Sequence, residues 1–596
     1  MCGIVGVVSL DNAPFKALAG LKKLEYRGYD SWGISFKNCD TIETVKKTGR
    51  ITMPARGTLN HNSYAAIAHT RWATHGKVTE KNAHPHVSND EKIAIVHNGI
   101  IENYAELKQK LIEKNFKFYS ETDSEVIANL IQFHLAETKN FPEAVKKTIL
   151  ELEGSYAIVA LHNKTFEMVA AKNGSPLVIG IGNKEFFAAS DVTAFLAYTK
   201  KVVYLNDNEI AVFGNTLKIE NILTNEKVEP IIHEITWSAQ QAEKGNYDYF
   251  MRKEIDEQPA IIELTAKQDP DSINKFSNFL KIRKRIFLLG CGSSYHACVL
   301  GAEYFNSAGL EAYPFLASEF RQNLNGNTDV ILAVSQSGET ADLIESINYA
   351  KKNHVPILSV VNVMDSTIMR MSDATLLLNA GPEICVLSTK TFSAQVAILY
   401  FISKIYGGYI NENKRIEVAL NELKNNFHIV ANNLNSYLNS PNEKIISLAK
   451  KLASRRELFV IGRSLAYPLA LEAALKIREV SYINAVGFAG GELKHGTIAL
   501  IEEGTPVIVL STPETRKSIL NNAIEIKSRG GFIIGVDSEN SEIYDEYIEI
   551  PSFDSLSSIG IIGLILPIQL LAYHLALEKK LDPDKPRNLA KSCTVK

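Results

Sequence analysis

Cysteine stands at position 2, in "MCGIVGVV". With Met1 removed, its thiol would lie beside a free α-amine, which puts a nucleophile and a base on one residue. An unperturbed cysteine has a pKa of about 8.5 and an α-amine about 7.7–8.0. The neutral amine can therefore take the thiol proton near neutral pH, as it does for N-terminal threonine nucleophiles. The ordinary alternative is a strand start in which Cys2 packs as a small hydrophobe.

Three further segments suit an amino-acid amide as ligand. "HTRWATHG" (residues 69–76) presents Arg71, Trp72, Thr74 and His75 at a strand end. "HNGIIEN" (97–103) places Asn98 and Gly99 in a turn after "KIAIV", and "ETDSE" (121–125) puts Asp123 just before a helix. A guanidinium holds an α-carboxylate bidentately, a carboxylate holds an α-ammonium, and an amide with a backbone N–H forms an oxyanion hole. Each segment also has a plain reading: a surface cation, a type I′ hairpin turn and a helix N-cap.

The later sequence carries a different chemistry. "DVILAVSQSGETADLIESI" reads as a strand, a hydroxyl-rich loop and a helix. There Ser335, Ser337, Gly338 and Thr340 can turn hydroxyls and N–H groups toward an anion at the positive helix end. A Ser/Thr-capped helix is the simple alternative. "GCGSSY" (290–295) and "VLSTKTF" (386–392) supply similar loops. In "LALEAALKIREVSY", Glu472, Lys476 and Glu479 share one helix face among apolar neighbours. The alternative is an exposed salt-bridge ladder. A buried cluster of this kind tends to have shifted pKa values and to serve as acid or base, as an aldose–ketose isomerisation requires between C1 and C2. "GGELKHG" (490–496) adds His495, a candidate for ring opening. The final "DPDKPRNLAKSCTVK" offers Lys591, either a Schiff-base lysine or part of a frayed terminus.

These groups need scaffolds, and the chain shows two textures. Up to about residue 230, short β-rich runs ("GIVGVVSL", "YAAIAHTRWATHG", "KIAIVHNGI", "SYAIVALH") mix with helical stretches at 104–115 and 124–135. The polar "WSAQQAEKGN" (237–246) reads as a linker. Beyond it, "RIFLLG", "DVILAVS", "PILSVVNV" and "ATLLLN" alternate with helices, which predicts parallel sheets covered on both faces. "FLLGCGSSY" resembles "FVIGRSLAY" and "DVILAVSQSGET" resembles "TPVIVLSTPET", at offsets of 172 and 176 residues. Two matches at nearly one offset predict a duplication. The second copy lacks an equivalent of Gly338, so one phosphate site is expected, in the first copy.

At 596 residues the chain exceeds a single core. A net charge of −3 gives no reason to expect nucleic acid or an anionic membrane as partner. Six scattered cysteines without a CxxC pair fit a reducing compartment rather than a disulfide framework or zinc site. The apolar stretch 559–577 is interrupted by Pro567, Gln569 and His574 and reads as a buried core helix rather than a membrane span. The opening residues show no basic stretch followed by an apolar one, so neither a signal peptide nor a location other than the cytoplasm is expected. No residue cluster calls for a metal or an organic cofactor.

"CGIVG", "LEYRGYDS", "HTRWATHG", "NAHPH", "VHNGIIEN" and "ETDSEVI" resemble the glutaminase domain of the glutamine–fructose-6-phosphate aminotransferase (isomerizing) family. The later segments, with "AEKGNYDYFMRKEIDEQP" at the junction, resemble its isomerase half. The resemblance implies Cys2 as nucleophile, Asn98 and Gly99 as oxyanion hole, and Arg27, Arg71, Thr74, His75 and Asp123 around glutamine. Gly28 joins Arg27 in the loop over that site, and Trp72 gates an ammonia channel. It implies Ser294, Ser335, Gln336, Ser337, Thr340, Val386, Ser388 and Ala590 as fructose 6-phosphate ligands. It further implies Glu479 as proton-transfer base with Lys476 and Glu472 beside it, His495 as ring-opening residue, Lys591 as Schiff-base lysine, and a homodimer. Ser293 and Cys593 depart from the family's Thr and Val without removing a group the chemistry needs.

The implied fold is an α+β N-terminal-nucleophile αββα sandwich followed by two α/β parallel-sheet sugar-isomerase domains. The expected division is 1–235 (glutaminase), 236–248 (linker), 249–425 and 426–580 (isomerase domains) and 581–596 (tail). L-glutamine and fructose 6-phosphate are the expected substrates and glucosamine 6-phosphate the product. Another N-terminal-nucleophile amidotransferase and a sugar-phosphate-binding regulator are the alternatives.

Overall fold

A computed structural model describes residues 2–53, 63–72, 76–235, 239–407, 416–551 and 558–593. The chain divides into two compact units, Met1–Glu243 with Ala590–Lys596, and Lys244–Leu589.

The first unit stacks two largely antiparallel sheets, with helices on both outer sides. In the eight-stranded sheet, Gly3–Ser9 lies between Glu185–Ala189 and Ala65–Arg71. In the seven-stranded sheet, Ile93–Ile101 pairs with Gly154–His162, which pairs with Met168–Asn173. The period of two explains why these strands read as unbroken apolar runs. Ala94 and Val96 enter the core between the sheets with Ile4, Val8, Ile67 and Val159. Their neighbours Ile93 and Ile95 face a helix layer built from Tyr104–Ile112, Glu125–Thr138 and Phe141–Glu151. Both faces of that sheet are therefore buried.

The structure corrects one local expectation here. Asn98 and Gly99 lie not in a turn but inside the strand Ile93–Ile101, opposite Ala157 and Tyr156. The sequence Asn-Gly suits a hairpin, yet Gly99 is held at φ 128°, where an added Cβ would stand 1.9 Å from the Ser155 carbonyl oxygen. Close cross-strand approach, rather than a chain reversal, is what the glycine permits.

The second unit contains two five-stranded parallel sheets with the same topology. The first is ordered Glu311–Leu316, Arg285–Gly290, Asp329–Ser335, Ile357–Val361, Ala374–Leu377. The second is ordered Asn484–Ala489, Glu457–Gly462, Pro506–Leu510, Phe532–Asp537, Glu546–Glu549. Side chains alternate in step in the two copies. Phe287, Leu289, Ile331 and Ala333 face one outer cluster, and Phe459, Ile461, Val507 and Val509 another. Ile286, Leu288, Leu332, Leu458, Val460 and Ile508 face a single core shared by both sheets.

That shared core overrides two expected boundaries. The division at 425/426 falls inside one helix, Ile416–Leu438, whose Leu423, Phe427 and Leu434 are buried in it. Residues 581–589 do not stand apart as a tail. Asp584 accepts hydrogen bonds from the N–H groups of Phe250 and Met251 (both 2.8 Å) and through its carbonyl from Val386 (3.1 Å), so this segment belongs to the second unit as far as Leu589. The apolar stretch 559–578 is long and apolar enough to cross a membrane by length and composition, and here it lies 89% buried within the protein. Its Gln569 is satisfied internally: Oε1 accepts from Gln258 (2.6 Å) and Nε2 donates to the Thr389 carbonyl (3.4 Å).

Candidate active sites

In the first unit the thiol lies where two strands of the eight-stranded sheet meet. Gly3 pairs with Thr70, which sets Cys2 beside Trp72. The Trp72 N–H donates to Cys2 Sγ (3.3 Å), and the thiol reaches the Trp72 carbonyl (3.6 Å). The Cys2 carbonyl accepts from Asn98 Nδ2 (3.0 Å) and Arg27 Nε (3.4 Å). Arg27 is itself anchored on Asp191 (3.5 Å), which also accepts from the Tyr26 hydroxyl (3.1 Å). The thiol is thus aimed by backbone on one side and by Asn98 and Arg27 on the other.

Arg71 is buried, its guanidinium donating to the carbonyls of Lys77 (3.2 Å) and Gly76 (3.3 Å). Burial lowers its proton affinity, while Cys2, Asp30 and Asp123 favour the charge; a guanidinium remains protonated throughout. Asp123 does not cap the helix that follows, because Ser124 is the N-cap residue of Glu125–Thr138. Asp123 Oδ2 instead accepts from the Ile101 N–H (2.8 Å). A cation and a carboxylate therefore share the electrostatic surroundings of the thiol. Thr74 and His75 lie outside the described residues.

Residues without an assigned role complete this region. Five of the chain's 14 histidines fall between His69 and His97, and that density was the available signal. His69, His84, His86 and His97 are all buried. The rings of His69 and His84 stack at 4.1 Å, and His84 meets His86 edge-on at 4.5 Å. Burial pushes all four toward the neutral form, His69 to about 3. Asp191, anchoring Arg27, gave no comparable signal in the sequence.

In the second unit, the strand order places the hydroxyl-rich loops at a switch point. Arg285–Gly290 and Asp329–Ser335 are adjacent parallel strands whose following connections lead in opposite directions across the sheet, the place where open α/β sheets bind ligands. After Ser335 the loop is tied internally: Ser335 Oγ contacts Thr340 Oγ1 (3.1 Å) and accepts from the Gly338 N–H (3.1 Å). Gly338 has φ 65°, and a Cβ there would stand 2.0 Å from Ser366 Oγ. The Gln336 carbonyl accepts from the Asn362 N–H (3.1 Å). Ser294 Oγ accepts from Gln395 (3.0 Å), and Ser388 contacts Thr391 (2.7 Å). Buried Glu383, which carried no sequence signal, shapes this last loop by accepting from the N–H groups of Thr389 and Thr391 (both 3.0 Å).

The charged stripe is buried, which excludes an exposed ladder. Within the helix Ala466–Ser481, Lys476 Nζ lies 3.3 Å from Glu472 and 2.7 Å from Glu479. Glu472 also accepts from Ser293 Oγ (2.9 Å) and pairs with His296 Nδ1 (2.8 Å), so the first turn of the helix Ser293–Ser307 in the first copy holds a helix of the second. Burial alone would raise Glu472, but Lys476, His296 and Ser293 together hold it below the ordinary carboxylate range. Burial alone would lower Lys476, and the two carboxylates outweigh it and hold the ammonium charged. Glu472 and Lys476 are sealed at 0% and 1% side-chain exposure, whereas Glu479 keeps 18%. Glu479 is therefore the member of the stripe that a ligand can reach.

His495 is exposed at the end of the short turn Glu492–His495 of the second unit. Ala590 and Lys591 fall in the segment that clusters with the first unit.

Two family models match the chain: a glutamine amidotransferase domain over residues 69–197 and a SIS domain over 279–403 and again over 451–558. The chain is 41% identical to a glutamine–fructose-6-phosphate aminotransferase (isomerizing) of Pyrococcus horikoshii, and 40% identical to one of Caldanaerobacter subterraneus. Both alignments cover all of each chain. A solved C-terminal domain of glucosamine–fructose-6-phosphate aminotransferase from Francisella tularensis matches with a TM-score of 0.52 and 30% identity, covering 57% of this chain and 99% of that one. The thiol framed by Trp72 and Asn98, the paired parallel sheets and these full-length relatives agree: this chain belongs to the glutamine–fructose-6-phosphate aminotransferase (isomerizing) family.

Proposed function

We propose that this chain takes the amide nitrogen of L-glutamine and uses it to convert fructose 6-phosphate into glucosamine 6-phosphate. The observation that carries this reading is the presence, in one chain, of a framed N-terminal-region thiol and a sealed Glu472–Lys476 pair presenting Glu479.

At the first site Cys2 attacks the side-chain carbonyl carbon of glutamine. Asn98 and the Gly99 N–H receive the oxyanion, and Arg71 and Asp123 bind the α-carboxylate and α-ammonium. Arg27 and Gly28 close over the ligand, with Thr74 and His75 completing its contacts and Trp72 guarding the exit. Loss of ammonia leaves a γ-glutamyl thioester, which water hydrolyses to glutamate. At the second site Ser335, Gln336, Ser337 and Thr340 hold the phosphate, with Ser294, Val386, Ser388 and Ala590 along the sugar. His495 opens the ring and Lys591 forms an imine at C2. Ammonia displaces the lysine, giving a fructosimine. Glu479 then takes a proton from C1 and returns one to C2, which leaves an aldehyde at C1 and the amine at C2. Lys476, fixed by Glu472, donates to Glu479 (2.7 Å) and orients its carboxylate. A homodimer working in the cytoplasm, with no nucleic acid or membrane partner, completes the reading.

Purified protein incubated with glutamine, with and without fructose 6-phosphate, tests it by mass spectrometry. Equimolar glutamate and glucosamine 6-phosphate are expected. Glutamate without amino sugar would overturn the second half, and neither product would overturn both.

A further inference from the structure

The orientation of Asn98 is decided by His69. His69 is fully buried, and its Nε2 lies 3.1 Å from the His97 carbonyl and 3.0 Å from Asn98 Oδ1. A backbone carbonyl can only accept, so Nε2 must carry the proton. Nε2–H then faces an acceptor on Asn98 as well, which makes that atom the amide oxygen. The NH2 group is left pointing the other way, 3.0 Å from the Cys2 carbonyl, which again can only accept. Two backbone carbonyls thus fix one tautomer and one amide orientation with no freedom between them. A flipped Asn98 would set an oxygen against the Cys2 carbonyl and N–H against N–H at His69.

We propose that His69 is a positioning residue of the glutamine site, holding the Asn98 amide so that its NH2 group faces the carbon chemistry at Cys2. The proposal deepens the glutaminase reading and rests on it. The ring is itself held: it stacks on His84, whose Nδ1 accepts from the His97 N–H (3.3 Å). His69 Nδ1 meets no partner among the described residues, so only one ring nitrogen has work to do. Burial and the nearby Arg71 charge keep the ring neutral, so the tautomer persists across the range in which the enzyme would operate.

Glutamine places a donor nitrogen near the position of Nε2, whereas asparagine reaches only the position of Nδ1. His69→Gln should therefore keep kcat for glutamine hydrolysis within about threefold, and His69→Asn should lower it roughly tenfold to a hundredfold, short of full loss of an oxyanion donor. KM for glutamine should stay within about twofold in both, since Arg71 and Asp123 are untouched. Alkylation of Cys2 by iodoacetamide forms no oxyanion and should proceed at the wild-type rate in both variants. Equal kcat in the two variants would overturn the proposal. So would a fall in alkylation rate and thermal stability parallel to kcat in His69→Asn, which would mark His69 as merely structural. Failure of the glutaminase reading is distinguishable, because the unmutated protein would then release no glutamate.

Discussion

Replacing Lys476 by methionine keeps an unbranched side chain, one atom shorter, and removes its charge from a place water does not reach. Glu472 would remain at 0% exposure with Ser293 and His296 as donors but without its buried cation. Breaking a buried pair from one side costs about 3–5 kcal/mol. Glu479 loses the same partner, but with 18% of its side chain exposed it can recruit water, so most of the cost falls on Glu472. The pH dependence follows. In the wild type Glu472 is held below its ordinary range, so its contribution is present above an unfolded pKa of about 4.3 and is lost as pH falls through the lower folded value. In Lys476→Met the largest cause that lowers Glu472 is gone, and burial then favours its protonated form on folding. The variant's stability then falls as pH rises. The gap between the two proteins should be small near pH 4.5 and reach its full size near pH 7.5. For a unit this large, unfolding entropy scales to roughly 1–2 °C per kcal/mol, so Tm should drop by roughly 5 °C at pH 7.5. Thermal unfolding of both proteins across that pH range is the assay. Adding Glu472→Gln should restore most of the loss, because a neutral amide leaves no buried charge: its oxygen can accept from His296 while its NH2 group donates to the Ser293 hydroxyl. A deficit independent of pH, or no recovery in the double variant, would refute the charge argument and leave only a packing defect.

Asn98→Ala removes an oxyanion donor, and kcat for glutamine hydrolysis should fall about 10²–10³-fold while iodoacetamide still alkylates Cys2; steady-state kinetics beside an alkylation time course checks both. Gly338→Ala forces a methyl group to within 2.0 Å of Ser366 Oγ at a positive φ. The displaced loop should raise KM for fructose 6-phosphate by roughly tenfold, about 1.4 kcal/mol of binding, with glutamine hydrolysis measured alone unchanged.

Local chemistry was legible from residue order wherever one period or one short segment sufficed. Cys2, the helix face shared by Glu472, Lys476 and Glu479, and the hydroxyl-rich loop after Ser335 all follow from neighbours within about ten residues, as the periods of strand and helix require. The duplication was legible because strands buried on both faces keep their apolar runs in both copies, at offsets of 172 and 176 residues. What depends on distant partners was not. Asn98–Gly99 reads as a turn until Gly154–His162 pairs with it and extends the strand. The segment near Asp584 reads as a tail until it captures N–H groups more than 300 residues earlier. The cut expected between the sugar-isomerase copies falls inside the helix Ile416–Leu438, because both sheets bury one face in the same core. Which carboxylate of the stripe stays reachable was decided by Ser293 and His296, which seal Glu472 from nearly 180 residues away. Helical spacing alone put Glu472 and Glu479 on equal terms; burial and donor supply are properties of the assembled interior, and they set the two apart.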